Sequence, residues 1–382
     1  MALQAPSQSA SYAQSAVYKL DLSEVLSAIL LDDTDFVSMI GISNDVATQT
    51  KHSWVEDALN ATTIVQTAGN SYLSGTTATV IVFSANISRI TAGTLMKDQL
   101  SGKREVVQVT GVTGVSATVV RGFGGTSAAA HASGATWEII ANPRPQGMAG
   151  PKDISTTRSL VSNFTQIFSK GVRITGTADA IEHAGVSMED DYQIDLRLRE
   201  LKRELDRACI MGMKASGDVS STVYGTMGGM VYWTSVANTG NLTKTAETLT
   251  PTVLNSLVKN CWNLGLYPDT VLVGGTQKQK ISSFDAEFRR STFDTRRAGY
   301  TVEEFVSDLG INLQVIVDRW VPNDVAIVFE RGRIKILPLN GRSFFLEKLG
   351  KTGDSEDWQI VGEYTMEFRN ANAAAYHDTL KQ

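Results

Sequence analysis

The sequence predicts an α+β protein of more than one domain, and three observations carry that expectation. Short β-rich runs punctuated by glycine fill residues 63 to 142, one long amphipathic helix pattern runs from about Met188 to Met211, and helix and strand signals alternate after Thr250. At 382 residues the chain also exceeds what one hydrophobic core supports, because single cores stop growing near about 250 residues. The composition, 42% hydrophobic and 20% charged with 8 Pro, is that of a folded chain rather than a disordered or fibrous one, and 32 Gly imply many turns.

Residues 1 to about 50 read as an arm. Met1 to Ser15 is a Ser/Gln/Ala-rich leader, and Asp21 can then cap a helix whose stripe is Leu22, Val25, Leu26, Ile29 and Leu30. Glu56 and Asp57 read as part of an exposed helix. From about Thr63 to Asn142 the runs Ala78 to Phe83, Arg104 to Val109, Val115 to Val120 and Thr136 to Ile140 read as strands. Gly93, Gly102, Gly111, Gly114, Gly122 and Gly134 fall between them at hairpin spacing, which predicts a small antiparallel β unit.

Gly150 to Gly176 reads as a second leader into the longest helix. Ser187 followed three residues later by Asp190 is an acidic capping signature, and Glu189, Asp190 and Asp191 complement the positive helix end. Ile194, Leu198, Leu201, Leu205 and Ala208 step by four and three onto one face. The opposite face pairs Asp195 with Arg199, Glu200 with Arg203 and Glu204 with Arg207. Residues 188 to 211, at about 1.5 Å each, give a rod of about 36 Å that suits a helix spanning a flat subunit.

A Gly-rich hairpin at Gly225, Gly228 and Gly229 precedes an αβα unit. Thr250-Pro251 starts a helix with the apolar face Leu254, Leu257, Val258, Cys261 and Trp262, and Gly265 ends it. Thr270 to Val273 reads as a buried strand and Gln277 to about Arg290 as a second helix, followed by a loop with Arg289, Arg290, Arg296 and Arg297. Strands at Asn312 to Val317, Asp324 to Phe329, Arg333 to Leu337 and Trp358 to Phe368 close the chain.

Several functions are disfavoured. A net charge of -5 lacks the positive field of a dedicated DNA-binding protein. Cys209 and Cys261 sit in apolar helical patterns without a CxxC partner, which reads as buried thiols in a reducing compartment. No run reaches the roughly 18 apolar residues that span a bilayer, and the leader lacks a signal peptide's basic start and apolar stretch, so cytoplasmic synthesis is expected. His52, His131, His183 and His377 show no metal-ligand spacing. Gly122 to Thr126 breaks the GxGxxG frame at Ser127, and Gly274-Gly275 lacks the P-loop spacing, so both read as turns. There is no Gly-x-Ser-x-Gly elbow. No cofactor is expected.

The order of parts resembles the HK-ninety-seven-like capsid fold of tailed-phage major capsid proteins. Stretches similar to one branch of that family are Ser53 to Asp57, Arg121 to Thr126 with Ala129, Ala130 and His131, Asn163 to Phe168, Gly176 to Ala180, Glu200 to Leu205, Lys351 to Asp354 and Gly362 to Glu367. The resemblance implies an N-terminal arm (1–50), an extended loop with a β-rich insertion (51–150), a peripheral domain with a spine helix (151–245), an axial domain (246–320) and closing strands (321–382). It implies a non-enzymatic subunit that forms hexamers and pentamers of an icosahedral head. Scaffold, portal and decoration proteins would be its partners, with weak non-specific contact to packaged DNA and none to a membrane. Assembly would take place in the bacterial cytoplasm. Some relatives crosslink through a lysine and an asparagine, but no stretch here marks such a pair.

Arg199 and Arg203 on the spine helix and Arg289, Arg290, Arg296 and Arg297 in the loop are the candidate inter-subunit contacts. The loop cluster reads first as a solvated face, with a site for nucleic acid or an acidic neighbour as the alternative. Two other classes stay open: a tail or decoration component, of which a tail tube protein should lack the long helix, and an enzyme whose site assembles only in space.

Overall fold

A computed structural model of the chain describes residues 34–67, 73–85, 87–99, 102, 104–147, 154–179, 189–217, 224–284, 289–291, 303–351 and 353–381. The helix expected from Asp21 lies outside the described residues. The chain divides into two compact units, one from residues up to Trp54 together with Leu160 onward, the other Val55–Ser159. Strands β1 (Lys51–Glu56) and β8 (Ser159–Phe164) pair with each other where the chain passes between them. Glu56 therefore ends a strand, not a helix: His52 and Trp54 alternate with exposed Lys51, Ser53 and Val55, and Trp54 enters the core.

In the first unit, α3 (Glu189–Met211) forms where the periodicity places it. Leu201, Leu205 and Cys209 are fully buried, and Ile194, Leu198 and Ala208 pack against the same core. α3 lies on β9 (Gln166–Thr175) and β18 (Ser355–Phe368). β18 pairs antiparallel with β9 from Ser355↔Thr175 to Tyr364↔Gln166, with β17 (Phe345–Lys348) along its first half and with β16 (Ile334–Pro338) along its second. Every residue of Ile360–Phe368 is buried, the pattern of a strand covered on both faces. The expected second leader is thus strands β8 and β9. Its alternation, Phe168, Val172 and Ile174 inward against Ser169, Gly171 and Arg173 outward, is masked in sequence by Lys170.

Helix α1 (Asp35–Ile40) inserts Phe36 into this core, 6.5 Å ring to ring from Phe329. The chain beyond it runs along β16, with Ser43 N–H donating to Ile336 O at 2.8 Å and Ala47 N–H to Pro338 O at 2.9 Å. A four-residue helix α2 (Gly176–Asp179) follows β9. The hairpin expected at Gly225 to Gly229 reduces to one antiparallel bridge, Ala215 with Thr226, followed by a π-helical turn, Tyr232–Val236. Gly229 is required there by close approach, since a Cβ would sit 2.6 Å from the carbonyl oxygens of Ala208 and Cys209.

A seven-stranded mixed sheet forms the rest of this unit, in the order β10 (Leu242–Thr243), β19 (Ala375–His377), β15 (Ala326–Phe329), β11 (Thr270–Val273), β14 (Asn312–Val317), β13 (Glu303–Val306), β12 (Arg289–Ser291). β11 and β15 are buried throughout, and their side chains alternate between two cores. Leu272, Ile327 and Phe329 join the α3 core, while Val271, Val273, Ala326 and Val328 join a second core under α4 (Pro251–Asn263). One sheet is therefore the partition between two cores. α4 is capped by Thr250, whose hydroxyl accepts the Val253 N–H at 3.3 Å, and closes where Gly265 takes φ +83°. Helix α5 (Gly275–Ser282) stops well short of the expected Arg290, its last turn closing on Ser283. Gly274 before it packs so tightly that a Cβ would lie 2.8 Å from Val321 O, a packing reason for the glycine.

The second unit is a six-stranded sheet in the order β2 (Thr63–Val65), β7 (Thr136–Ala141), β4 (Leu95–Asp98), β5 (Val106–Thr113), β6 (Ser116–Val120), β3 (Val80–Val82). A bridge between Gln66 and Phe83 joins its two outer strands, with Thr67 N–H donating to Val82 O at 2.9 Å and Ser84 N–H to Val65 O at 3.2 Å. The sheet is thereby closed into a small barrel, which removes its open edges. Ile64, Ile81, Phe83, Met96, Val107, Val109, Val119 and Trp137 fill it.

Candidate assembly surfaces

The outer face of α3 is charged but largely balanced within the chain. Arg199 Nε meets Asp195 Oδ2 at 2.8 Å, as the spacing predicts. Glu200 is held by Arg197 at 2.7 Å, Glu204 by Lys170 of β9 at 2.5 Å, and the Arg207 guanidinium lies over the Trp320 ring, 4.9 Å from its centroid. Arg203 is half-buried. Exposed i,i+4 pairs contribute only about 0.3–0.5 kcal/mol each, so their main effect is to present a face with little bare charge. Arg199 thus reaches any neighbour as half of an ion pair.

Arg289 and Arg290 fall on β12, the outermost strand of the seven-stranded sheet, in register with Phe305 and Glu304. Arg296 and Arg297 lie outside the described residues. Apolar side chains remain uncovered in the first unit, among them Leu160 at 70% and Tyr267 at 69% exposure, with Trp262 and Leu264 beside the end of α4; in the second unit Leu59 is 97% exposed.

Groups that could have carried chemistry have structural partners. Burial pushes the Cys261 thiol up to about 12 and the Cys209 thiol well above its ordinary value, so neither is a ready nucleophile. His52 bonds Glu367 at 3.0 Å and His377 bonds Glu247 at 2.9 Å. Among the described residues no group of three or more His, Cys, Asp and Glu could hold a metal ion, and no helix is long and apolar enough to cross a membrane. His183 lies outside the described residues.

A buried polar cluster lies inside the barrel unit. Glu105, whose side chain is fully buried, accepts Arg121 Nε and a second guanidinium nitrogen, each at 2.7 Å, the Gly122 N–H at 3.0 Å and the Ala129 N–H at 2.8 Å. His131 bridges Glu105 at 2.9 Å and Asp98 at 2.7 Å and lies against the Trp137 ring, with centroids 4.7 Å apart. Burial alone would raise the Glu105 carboxyl, but hydrogen bonds from Arg121, Ala129, His131 and Gly122 outweigh it and hold the group at about 2. Arg121 also donates to Gly75 O at 2.7 Å and Ala78 O at 2.9 Å. Arg121, Gly122, Ala129 and His131 of the Arg121-to-His131 motif are thus members of one network that ties the barrel's loops to its strands. Sequence reading found those positions but not Asp98 or Glu105, which no local spacing connects to them.

A model of the SU10 major capsid protein family matches residues 6–381. The chain belongs to that family. The major capsid protein of Escherichia phage Phieco32 is 24% identical over 263 residues, which are 56% of this chain and 74% of that protein. Among solved structures, a Mycobacterium phage Bobi chain covers 96% of this capsid protein and is itself covered to 97%, at 10% identity and a TM-score of 0.47. The holo-SrpI encapsulin of Synechococcus elongatus PCC 7942 covers 58%, with 76% of that chain matched, at 12% identity and a TM-score of 0.43. The protein is a major capsid protein, a structural subunit of a phage shell, and its place is the virion.

Proposed function

We propose that this capsid protein builds an icosahedral head as hexamers and pentamers in the HK-ninety-seven-like manner, encloses packaged double-stranded DNA, and catalyses nothing. Residues 1–50 serve as the arm, 51–150 as the extended loop with its β-rich insertion, 151–245 as the peripheral domain, 246–320 as the axial domain and 321–382 as closing strands. Arg199, Arg203, Arg289, Arg290, Arg296 and Arg297 contact neighbouring subunits. Assembly occurs in the bacterial cytoplasm with scaffold and portal proteins, and decoration proteins can bind the finished shell. The observation that carries the reading is the family match across residues 6–381. The 23-residue α3, with one face in the core and the other balanced in charge, supports it, because a near-neutral outer face can approach copies of itself. Many individually weak contacts then sum around a closed shell.

Fractionating virions into heads and tails tests this directly. The chain should be the most abundant component of the head fraction, and those heads should shield double-stranded DNA from nuclease. Recovery in the tail fraction would overturn the reading.

A further inference from the structure

Two buried aspartates meet at the start of α1. Asp206 comes from α3 and Asp318 from the turn after β14, and they are 0% and 1% exposed. Asp206 Oδ1 accepts the Val37 N–H at 2.8 Å and Asp318 Oδ2 the Phe36 N–H at 3.3 Å, while Asp318 Oδ1 accepts the Trp320 N–H at 2.8 Å. Consecutive amides of one helical turn thus bring the two carboxyl groups together. Asp206 Oδ2 is buried with no hydrogen-bond donor beside it among the described residues. Two ionised carboxylates held this way would leave a repelling, poorly solvated pair, whereas one proton between them removes both costs.

We propose that Asp206 and Asp318 share one proton and form a pH-sensitive clasp, which holds α1 on its core while the pair carries one charge and loosens it when the pair carries two. Burial and the charge of Asp318 push Asp206 up to about 8, and burial raises Asp318 as well. The charged groups around the pair reinforce this. From α1 itself, Asp35 adds a negative charge that raises both. On α3, Cys209 is pushed up by burial and by Asp206, and Arg207 is engaged on the Trp320 ring, with half-buried Arg203 one turn before it. Arg319 neighbours Asp318 in the turn, and Lys335 of β16, the strand α1 packs on, is taken by Asp45 at 2.7 Å.

The sign follows from proton linkage. The Val37 and Phe36 amides of α1 favour the ionised carboxyls, but burial is the largest influence on both groups and Asp35 of α1 adds to it. Lifting α1 readmits water to the pair and takes Asp35 away, so docked α1 binds more protons than undocked α1 between the ordinary carboxylate range and about pH 8. Docking is therefore strongest in acid, weakens by up to about tenfold per pH unit through that window, and levels off above it.

Hydrogen exchange of the Phe36–Gly41 amides in the full-length chain, corrected for intrinsic rates, tests the clasp. The opening constant should climb by up to about tenfold per unit between about pH 5 and 8 and then flatten. Asp206→Asn and Asp318→Asn should each abolish that slope, because a neutral amide can donate to the remaining carboxylate. Should the variants not fold, infrared spectra of the unaltered, carbon-13-aspartate-labelled chain decide instead: a protonated carboxyl band should persist at pH 7 and vanish above pH 8. A pH-independent opening constant, a slope retained in both Asn variants, or the absence of that band at pH 7 would each overturn the proposal.

Discussion

Replacing Glu105 by Gln keeps the shape of the side chain and removes its charge at the centre of the barrel's polar network. The carboxylate accepts two bonds from Arg121 and one each from Gly122, Ala129 and His131 at 2.7–3.0 Å, and these hold it near 2 against an ordinary 4.5. That gap, at about 1.4 kcal/mol per pH unit, corresponds to about 3 kcal/mol of stability. An independent route gives a similar figure, since stranding one partner of a buried ion pair costs about 3–5 kcal/mol. Exchange of the Val106–Thr113 and Ser116–Val120 amides at pH 7 in the full-length chain is the readout, and opening should become about a hundredfold easier in the variant. Because the folded value is depressed, the contribution is present above about 4.5 and is lost as pH falls toward 2, so the acid-side loss of barrel stability should be smaller in Glu105→Gln. A change in opening below about threefold, or an unchanged acid response, would refute the reasoning.

Other outcomes follow from the same geometry. Leu201→Asp, which places a charge at a 0% exposed position of α3, should abolish soluble protein, whereas Arg199→Glu, on the exposed face, should cost about 1 kcal/mol or less in thermal unfolding and impair particles instead. Gly229→Ala must push its new methyl against two carbonyl oxygens 2.6 Å away, so denaturant unfolding should show a loss of at least about 2 kcal/mol. Replacing Val55–Ser159 by a short flexible linker should leave the α3 helix signal intact by circular dichroism, because the barrel has its own core, while assembly fails.

Elements with strong local signals were legible in the sequence. The four-and-three stepping from Ile194 to Ala208 locates α3 to within a residue, and Thr250, Pro251 and Gly265 mark both ends of α4 because capping is local chemistry. β9 has a weak local signal because Lys170 interrupts the inward face between Phe168 and Val172, and the strand is fixed by pairing with β18, almost two hundred residues away. α5 was overextended because residues Ser282 and Ser283, where it closes, carry only a weak stop signal. Barrel closure rests on one bridge between Gln66 and Phe83, which no periodicity encodes. The same holds for the buried acids: Glu105 and Asp98 find His131, and Asp206 finds Asp318, only through tertiary structure. Arg199 was legible together with its partner Asp195, because their i,i+4 spacing is local, whereas the Trp320 ring under Arg207 comes from far along the chain and has no local signal.

Shell formation itself is most directly tested by electron microscopy of the purified full-length chain, produced alone and together with the proposed scaffold protein. The account predicts closed particles, tubes or ring-shaped capsomers. A homogeneous monomer in both preparations, across a wide range of concentration, would contradict it.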